Sequence, residues 1–205
     1  MPKITRLKFQ KNQERVNLYL DGEFAFGVSS SSVLKKGLKV GQELSSEEAE
    51  ALKETGDLQK DIDRVMRLVS ARPRSEREVR NYLKRKKVPD LAISQVIEKL
   101  YALNLLNDLA FANWWVEQRT TFRPKGKRAL RAELREKGIG EEIADKATSS
   151  LDEISLAKKV VDKKLRLYSV LPPLERRQKA TSFLARKGFT WEVIKAVLEK
   201  EGEKE

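Results

Sequence analysis

The 205-residue chain contains no cysteine and no histidine. The first absence excludes a disulfide framework and a thiolate metal site, and the two together remove the commonest general base, the commonest soft nucleophile and most transition-metal ligand sets. No stretch approaches the ~18 consecutive apolar residues of a membrane-spanning helix. The opening MPKITRLKFQKNQ has no apolar signal-peptide core, so a cytoplasmic location is the simplest expectation. Neither G-x-x-x-x-G-K-[ST] nor G-x-G-x-x-G occurs, which removes the glycine-rich loops that cradle nucleotide phosphates. Two short patterns remain for catalysis: Ser32 and Lys35 at the S-x-x-K spacing, and the carboxylates Asp61 and Asp63. Patterns of three or four residues arise by chance in a charged helical chain, so no enzyme activity, metal or cofactor is expected.

What the chain has in excess is positive charge, with 43 Lys and Arg against 31 Asp and Glu, a net charge of +12. Such an excess favours a polyanionic partner, because clustered cations steer phosphate and release its counterions. The competing use is solvation, since a protein of long helices covers its outer faces with charge.

The hydrophobic pattern repeats. Leu83 in YLKRKKV, Leu134 in ELREKGI and Leu184 in FLARKGF recur at intervals of 51 and 50 residues. Three further apolar columns keep the same register: Val79, Leu130 and Ala180 four positions before, Val88, Ile139 and Phe189 five after, and Val96, Ala147 and Val197 thirteen after. Self-similarity at this period predicts tandem supersecondary units that share a core. Each unit reads as three helices. The first has 58–70, a second helix capped by Ser75 with Glu78 placed for a capping box and running to about Lys87, and a third from Pro89 and Asp90. The second has 110–121, 126–137 stopped by Gly138, and 140–150; the third has 154–168, 173–187 stopped by Gly188, and 190–201.

The first fifty-five residues are organised differently. Segments 4–9, 16–20 and 24–28 alternate apolar and polar residues, and Asp21-Gly22 between the last two has the composition of a type I′ hairpin turn. A short helix over 29–36 ends near Gly37, and Ser45, Glu47 and Glu48 open another with a hydroxyl cap and an acidic first turn. The expected fold is therefore mostly α: tandem three-helix-bundle repeats forming an elongated curved array, with a small N-terminal cap containing a β-hairpin. The expected divisions are a cap at 1–55 and repeats at 56–109, 110–153 and 154–205.

Charge follows the repeat too. Arg74, Arg77, Arg80, Lys84 and Lys86 correspond, at an offset of 51, to Lys125, Arg128, Arg131, Arg135 and Lys137, and Lys127 adds a further cation to the second set. Positions 77, 80 and 84, like 128, 131 and 135, are spaced to form one stripe along a helix. Such stripes suit phosphate contact, and these eleven residues are the candidate binding site. The third unit departs from the pattern, carrying Gln178, Thr181 and Ala185 on the matching face and its cations elsewhere, among them Lys158, Lys163, Arg176 and Arg186. The adjacent Trp114 and Trp115 cannot both face one core, which predicts packing at the junction of the first two units, with base stacking as the alternative.

The ordered series RPRSE, LLND, FA-x-x-W and ELREKGI, together with the hairpin segment RVNLYLDGEFAFGVS, resembles the RecX family of bacterial recombination regulators over nearly the whole chain. The resemblance implies a non-enzymatic, three-helix-repeat protein that lies in the groove of the RecA filament on single-stranded DNA and mostly inhibits its ATPase and strand exchange in recombination, DNA repair and the SOS response. Some members also bind DNA directly. It implies RecA and single-stranded DNA as partners, with double-stranded DNA as a further one, no membrane, and a monomer. The basic middle helices would face RecA and DNA, with the hairpin as a cap or a second contact. The alternatives are a DNA-binding protein acting without RecA and a helical scaffold for an acidic protein.

Overall fold

The computed structural model describes residues 1–11 and 13–202, and among these it contains three strands and ten helices. Positions 203–205 of the expected third repeat lie outside the described residues. Strands β1 (Ile4–Phe9), β2 (Arg15–Leu20) and β3 (Glu23–Ser29) form an antiparallel meander in the order β1-β2-β3. Both residues of the β2–β3 turn have positive φ, 51° at Asp21 and 92° at Gly22, as a type I′ turn requires. One face of the sheet is buried through Ile4, Val16, Leu18, Phe26 and Val28, which join Leu38, Leu44 and Leu52 in a core.

Helix α1 (Ser30–Lys35) is a single capped turn and a half, while α2 runs without interruption from Ser46 to Ala71. The sequence pattern predicts two helical segments here, one opening at Ser45 and one over 58–70, and the structure joins them. The opening is as expected, with a full capping box between Ser45 and Glu48. Gly56 in the middle is not a break. Any β-carbon there would lie 2.3 Å from the carbonyl oxygen of Gly27, so glycine is what lets α2 lie against β3. The expected division at 55/56 thus falls inside a continuous helix.

The remaining helices are α3 (Glu76–Arg85), α4 (Asp90–Ala102), α5 (Asp108–Phe122), α6 (Lys127–Glu136), α7 (Glu141–Thr148), α8 (Glu153–Leu167), α9 (Pro173–Arg186) and α10 (Trp191–Gly202). They fall into two compact bodies: Met1–Arg72 with Val79–Leu105, and Pro73–Glu78 with the chain from Leu106 onward. In the first body α2, α3 and α4 bury Ile62, Val65, Val79, Leu83, Ile93, Val96 and Leu100. In the second, Phe111, Val116, Leu130, Leu134, Ile139 and Ala144 of α5–α7 form one core, and Val161, Leu184, Phe189, Ile194 and Val197 of α8–α10 form another. The apolar columns read from the sequence are these cores. All twelve residues are buried except Val88, which is half-exposed.

Candidate polyanion interface

Within the second body, the residues that lead into α3 and α6 meet the C-terminal ends of α6 and α9 respectively, and the joint repeats. Ser75, fully buried just before α3, receives the amide of Glu78 at 3.2 Å and donates its hydroxyl to the carbonyl of Lys137, the C-cap residue of α6, at 2.8 Å. One period later the amide of Gly126, just before α6, donates to the carbonyl of Lys187 at the end of α9, at 3.0 Å. The next residue in each case has its amide capped by a carboxylate at the start of a following helix: Glu76 by Asp108 at 3.3 Å and Lys127 by Glu153 at 2.9 Å. The residues after these, Arg77 and Arg128, make long contacts to the carbonyls of Arg135 and Ala185, at 3.5 and 3.4 Å. Helix-end groups that lack intrahelical partners thus satisfy one another across the joint.

This arrangement sorts the eleven candidate cations. Arg77 and Arg128 are exposed but lie over a neighbouring helix end, so part of their repetition in register is structural. Arg74 lies 3.8 Å from Glu78, and Lys137 donates to the same carboxylate at 2.8 Å. Lys125 donates to Glu133 and Arg131 pairs with Asp145 at 2.7 Å. Arg80 is half-buried on α3 and also has a partner. Lys84, Lys86 and Arg135 are exposed; Lys84 stands 3.3 Å from Asp90, where both side chains are more than half solvated and the pair is worth little. Lys127, Arg128, Arg131 and Arg135 line one open groove of about 390 Å³ together with Glu141, Asp145 and Thr190. Four of the six cations of the α6 set therefore share one groove, which also holds the carboxylates Glu141, Asp145 and Glu153; Arg131 is paired there and Arg135 faces solvent.

Glu133, which the sequence reading passed over, is the hub of the most connected polar cluster. Its carboxylate accepts from Trp115 Nε1 at 2.8 Å, from Arg119 Nε at 2.7 Å and from Lys125. Burial pushes this carboxyl upward, but the three donors outweigh that effect and hold it below the ordinary value. Asp108 shifts the other way: burial raises it, the amide of Glu76 opposes, and the nearby Glu76 carboxylate adds to the rise. No signal in the repeat pattern marks Glu133, because its equivalent in the first unit is Tyr82.

Trp114 and Trp115 pack on the α5–α7 core beside Phe111, with ring centroids 6.1 and 5.9 Å away. Two cations lie over the Trp115 ring, Arg119 at 4.4 Å and Lys137 at 4.9 Å from its centroid, and they compete with a base for it. The two short catalytic patterns are structural as well. Ser32 shares a 2.8 Å hydroxyl contact with the Ser29 cap, Asp61 pairs with Arg64 at 2.7 Å, and Asp63 accepts from Gln59 at 2.8 Å. Among the described residues no cluster of acidic side chains could hold a metal ion, and no helix is long and apolar enough to cross a membrane.

Comparison with known proteins covers almost the whole chain. Residues 2–45 match the model of the regulatory protein RecX N-terminal domain, and 62–100, 107–147 and 152–198 match the first, second and third RecX three-helix domains. Regulatory protein RecX of Bacillus velezensis is 38% identical over 203 residues, spanning 97% of this chain and 77% of that protein. The Bacillus subtilis protein of the same name is 36% identical over the same shares. A crystal structure of regulatory protein RecX superposes with a TM-score of 0.79 at 31% identity, covering 97% of this chain and all of the other. RecX from Lactobacillus salivarius shares the fold, with a TM-score of 0.65 over 70% of this chain and 96% of that one.

Proposed function

The chain belongs to the RecX family of regulatory proteins, and from that premise we propose that it binds the RecA filament on single-stranded DNA and lowers RecA ATPase and strand exchange. The observation that carries this reading is the groove on α6 lined by Lys127, Arg128, Arg131 and Arg135. Of its register counterparts on α3, Arg77 and Lys84 are exposed cations of the same kind. Guanidinium groups in such a row grip phosphate oxygens or surface carboxylates, and regular spacing suits a partner that itself repeats. A division into a cap (1–55) and repeats at 56–109, 110–153 and 154–205 belongs to the same proposal, as do monomeric action without catalysis and a cytoplasmic place of work.

The third unit takes a different part in this reading. Its middle helix offers Gln178, Thr181 and Ala185 where the others offer arginine or lysine, so it joins the array rather than extending the basic row. The experiment is RecA-catalysed ATP hydrolysis on single-stranded DNA with increasing amounts of this protein at several salt concentrations. A dose-dependent fall in rate that weakens as salt rises is expected. An unchanged rate at every salt would remove RecA from the account, and binding to bare DNA alone would then favour a DNA-binding protein acting independently.

A further inference from the structure

We propose that the groove between the N-terminal sheet and α2 is a second, separate binding site for single-stranded nucleic acid, holding a base against Phe24 and phosphates along α2. The groove encloses about 440 Å³, inside the ~300–1,000 Å³ range of sites that hold small ligands. It lies wholly within the first compact body and does not depend on the middle-helix reading.

Three observations point to this ligand. Lys53, Asp57, Lys60, Arg64 and Arg67 line the groove at intervals of four, three, four and three, which puts them in one row along a helix face about 21 Å long. With Arg15 the lining holds five cations against three carboxylates; Arg64 and Lys53 are engaged by Asp61 and Glu50 beside the groove, so the exposed Lys60 and Arg67 are the ones placed to meet an anion. Arg15 is the second observation. Its side chain is only 12% exposed and is clamped by Nη2 to the carbonyls of Gly27 at 2.8 Å and Gly56 at 3.0 Å. Its buried Nη1 makes no hydrogen bond and stands 3.9 Å from Asp63, so the guanidinium is fixed in the wall of the groove with part of its donor capacity unused.

Phe24 is the third. It is 58% exposed on β3, edge-on to Tyr19 at 5.9 Å, and it lines the groove beside the hydrogen-bonded amides of Gln10 and Asn17. Free phosphate or an acidic peptide has no use for an open aromatic face. A base does, and only an unpaired strand presents its bases for stacking. Cations in a row, a fixed guanidinium and a ring with amides beside it are the parts of a single-strand groove.

The test uses the full chain and fluorescence anisotropy with two labelled probes, an oligothymidylate and an abasic oligonucleotide of equal length. Lys60 and Arg67 are exposed, so the double variant K60E/R67E keeps the fold, which a thermal melt checks. It is expected to weaken oligothymidylate binding by at least ~10-fold and to flatten the salt dependence by a slope of about 1.4. The variant F24A is expected to lose roughly 5- to 10-fold on oligothymidylate and nothing on the abasic probe. A bromouracil-substituted probe should crosslink within residues 10–27, and should still do so after charge reversal of Lys84, Lys86 and Arg135, which separates this site from the middle-helix surface. Parent-like binding by both K60E/R67E and F24A overturns the proposal, as does equal loss on both probes for F24A or the absence of any oligothymidylate binding at low salt.

Discussion

The hydroxyl of Ser75 donates to the carbonyl of Lys137 across 62 residues of chain, at 2.8 Å, and a backbone contact from Gly126 to Lys187 repeats it one period later. The joint is what turns a sequence period into a structural one. Replacing Ser75 by alanine removes both this bond and the cap on Glu78, and leaves a buried carbonyl without its partner. A loss of about 1–2 kcal/mol is expected, read as a drop in melting temperature of roughly 2–8 °C. Faster amide exchange in the first turn of α3 should accompany it.

Glycine at the helix stops is set by the same joint. Gly138 and Gly188 have φ of 86° and 85°, and Lys87 occupies the matching position of α3 with φ 60°. A β-carbon on Gly188 would lie 2.3 Å from Ala129 Cβ and 2.7 Å from its backbone nitrogen, and one on Gly138 would lie 2.7 Å from Arg77 Cβ. G188A should therefore cost about 2–4 kcal/mol and G138A somewhat less, since the Gly188 contacts are shorter and include backbone, but neither is cheap because a Cβ is fixed by its own backbone. K87G should raise stability by up to ~1 kcal/mol, because Lys87 is exposed and its left-handed backbone needs no side chain. Thermal melts of the three variants give the order directly.

The Glu133 cluster gives stability a pH dependence. The carboxyl is held below its ordinary value of 4.5, so its contribution is complete above that pH and is lost as the pH falls through the lowered value. E133Q should be less stable than the parent by roughly 1–3 kcal/mol at pH 7 and should lose less on going to pH 3.5. Parallel acid limbs for the two proteins would place the titration elsewhere.

The architecture was legible because burial imposes periodicity. Leu83, Leu134 and Leu184 had to recur to fill equivalent cores, and the Asp21-Gly22 turn had to carry residues that tolerate positive φ. The long α2 was not legible at its centre, because Gly56 looks the same in sequence whether it ends a helix or admits a neighbouring carbonyl. The basic stripe was legible as a pattern but not as a set of roles. An arginine over a helix end, such as Arg128, and an arginine facing solvent, such as Arg135, obey the same spacing, and only the position of Ala185 separates them. Glu133 left no trace because it occurs in one unit alone.

Charge reversal at the outward cations tests the account most directly. K84E/K86E/R135E changes three exposed side chains and leaves the joint, the Glu133 cluster and the cores intact. Its effect on RecA-catalysed ATP hydrolysis on single-stranded DNA should be read beside that of the parent at low salt. The account predicts that the parent lowers the rate and that the variant, with an unchanged melting temperature, needs at least ~10-fold more protein for the same effect. Equal inhibition by parent and variant would contradict it.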